Sequence, residues 1–199
     1  MELNIVSFFY LFFRLSPFII VSYFGLSSVI NQDIKGVIYL VGLLVACFAT
    51  ITIGNLVPER EIPDDDLDEE TENAVCNLIS IGHNRSFSKS PLGISMLSYT
   101  LFYLVYIIVK YKIVLYNIPT LILLPLLILG DLLWNISNNC YDIFPILISI
   151  IIGGSMGALW ARIVDTMNQP NLFFFNVGSD KTVCQRPSKK LFKCTFKKR

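Results

Sequence analysis

The stretch PLGISMLSYTLFYLVYIIVKYKIVLYNIPTLILLPLLILGDLLWNISNNCYDIFPILISIIIGGSMGALWAR, residues 91–162, decides how the rest of the chain is read. Three apolar runs, 92–109, 113–133 and 143–161, are separated by two short polar breaks. Each run is close to the roughly 20 residues a helix needs to cross about 30 Å of hydrocarbon. A backbone exposed to lipid has no water to bond to and must satisfy its own donors and acceptors. Three spanning helices joined by tight turns are therefore expected here.

Working outward, 36–57 forms a further apolar run in which Gly42 and Ala46 offer small surfaces for close helix contact. Residues 5–30 are apolar except for Arg14, with Pro17 three positions later. A centrally placed Arg costs about 2.5–3.5 kcal/mol on insertion scales, and less near an interface. Two readings of Arg14 stand side by side: a snorkelling cation, or a buried partner for Asp131 or Asp142. The N-terminus starts Met-Glu-Leu-Asn without a basic stretch, and its apolar run is too long for a signal peptide, so it is read as retained. The expected fold is an all-α membrane protein with about five transmembrane helices and a small β-rich C-terminal tail. Its parts are two N-terminal spans (1–57), an acidic and polar loop (58–90), a three-helix block (91–162) and a basic tail (163–199).

Composition agrees. The chain is 54% apolar and 16% charged, whereas soluble domains are about 45–50% apolar and about a quarter charged. The net charge of +1 conceals opposed blocks: 59–72 carries nine acidic residues against Arg60, and 180–199 carries eight Lys or Arg against Asp180. This near-cancellation gives no reason to expect a specific nucleic-acid partner.

Chemistry-bearing residues are few. An EF-hand loop requires a glycine at its sixth position; the acidic run lacks one, so no metal site is assigned. His83 is the single histidine and sits in the polar loop beside a sequon, Asn84-Arg85-Ser86. A second sequon is Asn135-Ile136-Ser137, close to the end of its apolar run. Asp131 reads equally as an interfacial carboxylate or as a polar contact between helices. Gly153, Gly154 and Gly157 with Ser155 form a small face suited to packing rather than to a hinge. Five cysteines, Cys47, Cys76, Cys140, Cys184 and Cys194, do not read as a disulfide framework. In the tail, β-prone runs flank Gly178-Ser179-Asp180 as a hairpin, and Cys184 and Cys194 are a candidate pair, two ligands short of a zinc site.

Five spans put the termini on opposite sides. Lys35, Lys110, Lys112, Arg162 and the basic tail then share one side, which the positive-inside rule makes cytosolic. The acidic loop and both sequons fall on the lumenal side.

Several segments, covering about half the chain, resemble an uncharacterised multi-pass membrane-protein family of nucleocytoplasmic large DNA viruses, the giant and algal viruses. They are SMLSYTLFYL (95–104), GDLLWNISNNC (130–140), GGSMGALW (153–160) and, most specifically, VCQRPSKKLFKC (183–194). Tails in that family continue into a Tyr-Lys-Asn-Gly segment, which is absent from this sequence. The resemblance implies a viral membrane component of the virion internal membrane, the envelope or a host endoplasmic-reticulum-derived membrane. Capsid or other virion membrane proteins would be its partners, and the C-terminus would lie in the cytosol or virion interior. It supplies no activity and no cofactor.

A second likeness is to a degenerate type-2 phosphatidic acid phosphatase scaffold, with Ser90-Pro91-Leu92-Gly93 at the start of one span and 138–142 before a later one. That chemistry needs one histidine as nucleophile and another as general acid. With His83 alone, two-histidine transfer is excluded, and no catalytic residue is assigned. The likeness implies a catalytically inactive, lipid-binding protein whose head-group contacts would be Arg85, Lys89, Asn138 and Asp142. A transporter is disfavoured because no charged pair lies deep in several spans.

Overall fold

The computed structural model describes residues 5–56, 90–138, 140–167 and 172–173, without the side chains of residues 5–11 and Arg14. All regular structure among them is helical: α1 (Ile5–Asn31), α2 (Lys35–Leu56), α3 (Leu92–Lys110), a short 3-10 turn (Val114–Tyr116), α4 (Ile118–Ser137) and α5 (Ile143–Thr166). Four of these helices, α2 to α5, are long and apolar enough to cross a membrane, and α1 contributes a shorter apolar helix over Leu15–Asn31. The expected β-hairpin and the pair Cys184 and Cys194 lie outside the described residues, as do residues 57–89.

Local chemistry sets the ends of the helices. The apolar run 113–133 was expected to be helical from Ile113, yet α4 begins at Ile118. Pro119 in its first turn fixes that start, because proline's missing N–H costs nothing there. α1 and α3 both end in Schellman motifs without glycine. Gln32 (φ 52°) and Lys112 (φ 54°) occupy the left-handed position. Their N–H groups bond back to the carbonyls of Val29 and Val109, and the next residues, Asp33 and Ile113, bond to Ser28 and Ile108. Inside α1, Pro17 leaves the Phe13 carbonyl without its usual donor. The Ser16 hydroxyl supplies the replacement at 2.7 Å, so the helix passes the proline without an orphaned carbonyl there.

α3 lies at the centre and touches each of the other four helices. Its most extensive pairing is with α5, parallel and very close. A Cβ added at Gly153 would overlap the Ser95 carbonyl oxygen, and one at Gly157 would overlap that of Tyr99. At Gly154 an added Cβ would press on the Phe102 ring at 2.8 Å. The glycine face read from the sequence is thus a packing face. Gly42 and Ala46 of α2 are buried too, and a Cβ on Gly42 would strike the Tyr99 hydroxyl and the Trp160 ring.

The outer surface is oily. Leu44 and Phe48 on α2, Leu126 and Leu133 on α4, and Phe144 and Ile151 on α5 are all exposed. A surface of this kind on a soluble monomer would drive aggregation; against acyl chains it needs no further partner. The two ends of the bundle differ. At one end, Lys35, Lys110 and Arg162 gather near the start of α2 and the ends of α3 and α5, and Lys110 pairs with Asp165. At the other end are Ser90, the end of α2 and the α4–α5 turn.

Two substitutions separate packing from helix propensity. Gly153→Ala should destabilise the bundle by about 1–3 kcal/mol, because the α3 backbone cannot yield. Gly25→Ala would place its Cβ at an ordinary 3.6 Å from Leu40, and should be neutral or stabilising by under about 1 kcal/mol. Thermal unfolding in detergent measures both. Lys112→Gly should raise stability by up to about 1 kcal/mol by relieving the left-handed backbone.

Candidate functional site

The helix interfaces carry hydroxyls and aromatic rings where a soluble core would carry aliphatics. Gly42 is the reason this is possible on α2. Lacking a side chain, it leaves the carbonyls one turn earlier open to other helices. The Trp160 indole donates to the Ile38 carbonyl at 3.0 Å, and the Tyr99 hydroxyl donates to that of Tyr39 at 3.2 Å. Tyr39 and Thr100 share a hydroxyl–hydroxyl bond at 2.6 Å, as do Thr50 and Ser95 at 2.7 Å. The Ser98 hydroxyl reaches across to the Ile150 carbonyl at 2.9 Å.

Around these bonds, the rings of Tyr39, Tyr99 and Tyr103 sit 5.5–6.0 Å apart, and Phe24 stacks on Tyr39 at 4.1 Å. All three tyrosines are completely buried. Among the described residues, the Tyr103 hydroxyl and the Ser149 hydroxyl have no hydrogen-bond partner. Sequence reading missed this cluster. Its signal is the i, i+4 pair Tyr99 and Tyr103, with Ser95, Ser98 and Thr100 in the same helix.

A second polar group lies toward the Ser90 end. Asp131 is 5% exposed and Asn135 1%. The Asn135 amide donates to the Asp131 carbonyl at 2.7 Å and to its carboxylate at 3.2 Å. The carboxylate faces Gly93 of α3, whose missing side chain makes room for it, and Pro17 of α1 packs on the same glycine. Of the two readings of Asp131, the contact between helices is therefore the one realised. Asn135 of the second sequon is buried in α4 with its amide engaged. Arg14, the partner considered for Asp131 or Asp142, has no described side chain.

The residues expected to hold a lipid head group are only partly described. Asn138 is half-buried and its amide is bonded to the Trp134 carbonyl at 2.9 Å. Asp142 is exposed at the N-cap of α5 and makes no capping bond. Both belong to the α4–α5 turn. Arg85 and Lys89 lie outside the described residues. Among the described residues, no three His, Cys, Asp or Glu side chains are grouped to hold a metal ion.

Two of the five cysteines, Cys47 and Cys140, are among the described residues. Cys47 is a free thiol within α2, but Cys140 is disulfide-bonded, to a cysteine outside the described residues. An odd cysteine count counted against a framework, yet it does not forbid a single bond.

At the opposite end, Lys110 and the Tyr111 hydroxyl both meet Asp165, the latter at 3.4 Å. The Tyr111 ring also packs edge-on against Phe173 at 5.5 Å, which ties Phe173 to this end. Burial first, and the Asp165 carboxylate second, push the Tyr111 phenol above its ordinary pKa, so it remains a neutral donor.

This geometry defines a class: a helical bundle for a lipid solvent, bonded internally by hydroxyl and aromatic contacts. No family model, curated protein or solved structure matches the chain.

Two measurements follow from these contacts. Tyr39→Phe should cost about 0.5–2 kcal/mol, the range for interhelical hydrogen bonds in membranes, read from unfolding in detergent. With Asn84→Gln in place, glycosidase treatment should produce no mobility shift, because Asn135 is inaccessible to the transferase.

Proposed function

We propose that this chain is a non-enzymatic multi-pass component of a viral membrane: the virion internal membrane, the envelope or an infected-cell membrane derived from the endoplasmic reticulum. In this reading α1 joins the other four helices as a fifth span. The observation that carries it is the sorting of charge between the two ends of the bundle. Lys35, Lys110 and Arg162 gather at the end from which the basic tail departs. The nine-acid segment departs from and returns to the other end, between Leu56 and Ser90. The positive-inside rule then favours a cytosolic or virion-interior C-terminus. There, tail Lys and Arg residues hold anionic head groups at about 1 kcal/mol each. The acidic loop faces the lumen or the capsid and other virion membrane proteins. The viral assignment is supported by the tail segment 183–194.

An inactive, lipid-binding relative of the phosphatase scaffold is the alternative. Its support is that Asn138 and Asp142 share one turn at the end where the chain re-enters at Ser90.

In sealed vesicles, a tag after Arg199 should be digested by added protease without detergent, and the chain should co-purify with virion membranes. A protected tag overturns the orientation. Absence from virion and infected-cell membranes overturns the assignment.

A further inference from the structure

The other helices do not enclose α3 completely. They pack round it in the order α5, α2, α1, α4, each against the next. α4 and α5 are joined by the short turn 138–142, yet among the described residues they do not pack along their lengths. The ring is therefore open at one seam. Residues 94, 98, 102, 105 and 109 of α3 recur at three- and four-residue spacing and share the face that meets it. On one border, Ser98 and Phe102 contact Ile150 and Gly154 of α5. On the other, Leu101 packs on the cluster of Leu97 with Leu127 and Ile128 of α4. Exposure rises along this face: Ile94 and Ser98 are fully buried, Val105 is half-buried, Phe102 is 43% exposed and Val109 61%. The seam is closed where the turn holds its walls together. It opens as an apolar groove toward the end that carries Lys35, Lys110 and Arg162.

The cations at that end are not equivalent. Lys35 pairs with Asp33, and Lys110 with Asp165. Lys112 and Arg162 are exposed and make no ion pair among the described residues. Both belong to the frame of the groove. Gly154, Ala158 and Arg162 follow one another at four-residue spacing on the α5 wall, so two small residues leave room beside Phe102 and a cation follows at the mouth. Lys112 stands on the turn that joins the floor to the α4 wall.

We propose that this groove is a binding site for an anionic phospholipid, with one acyl chain along Phe102, Val105 and Val109 and its phosphate on Arg162 and Lys112. A guanidinium offers paired N–H donors to phosphate oxygens, and both side chains can lay their stems along apolar surface while the charge stays at the head-group level. The acyl chain fills the one stretch of α3 that no other helix of the chain covers. The site differs from the diffuse attraction of the basic tail, because two fixed cations and a three-helix groove act on one molecule. It depends neither on which side of the membrane this end faces nor on the viral assignment.

The test uses the full chain in vesicles of phosphatidylcholine and phosphatidylserine in equal parts. The photoreactive residue benzoylphenylalanine replaces Val109 in the groove or, for comparison, Val41, which is exposed on α2 in the same half of the bundle. After irradiation, mass spectrometry of the adducts gives the ratio of phosphatidylserine to phosphatidylcholine at each position. Attraction by the tail raises both ratios, so the comparison isolates the groove. The ratio at Val109 should exceed that at Val41 by about fivefold or more, the value of one surface cation held near the membrane. Arg162→Gln/Lys112→Gln should bring the two ratios together, and Lys35→Gln should leave their difference intact. Equal ratios in the otherwise unaltered chain overturn the site. So does a difference that survives the double variant, or one that Lys35→Gln also removes. A chain-to-chain adduct at Val109 in place of lipid assigns the groove to a second copy and overturns it as well.

Discussion

The close approach of α5 to α3 is the constraint on which the bundle depends. Lipid is as apolar as leucine, so burying leucine gains little inside a bilayer. Helices associate there through packing density and hydrogen bonds. Gly153 and Gly157 let the two backbones meet without intervening side chains. That contact makes α3 the hub, and its remaining faces then receive α1, α2 and α4. Two of those contacts use different devices: Gly42 of α2 opens carbonyls to Tyr99 and Trp160, and Gly93 of α3 makes room for the Asp131 carboxylate of α4.

The interior polarity follows from the same solvent. Hydroxyl groups that would compete for water in a soluble core have no such competitor here, so pairs such as Tyr39 with Thr100 and Thr50 with Ser95 can hold helices together. Asp131 with Asn135 is the costliest of these placements, since a carboxylate within a span is expensive to desolvate. Its position near one end of α4, with an amide bonded to it, moderates that cost.

Much of the fold was legible because hydrophobic length is a strong signal. The runs from 36 to 57 and within 91–162 gave four helices to within a few residues, and the glycines of α5 were read as a packing face. The start of α4 was misjudged because Ile113 to Tyr116 is apolar, while Pro119 sets the helix. Interior contacts were not legible. Tyr39 and Thr100 are 61 positions apart, and nothing local marks them as partners. Cys140 shows the same gap: count and spacing gave no hint that it is disulfide-bonded. Of the residues expected to bind a head group, Asn138 and Asp142 are described, and only Asp142 leaves its side chain uncommitted to a local bond.

The hydroxyls of the interface have a consequence for how the chain enters a bilayer. A ribosome delivers α3 well before α5, whose first residue comes 51 positions after that of α3 (143 − 92). During that interval the glycine face that α3 requires has not been made. Thr100 already bonds to the Met96 carbonyl at 2.7 Å, and Thr50 to that of Ala46 at 2.9 Å, within their own helices. Each hydroxyl thus carries an acceptor with it through the translocation channel. The membrane receives two helices whose threonines are already satisfied, and the cross-helix bonds are added when the neighbours arrive.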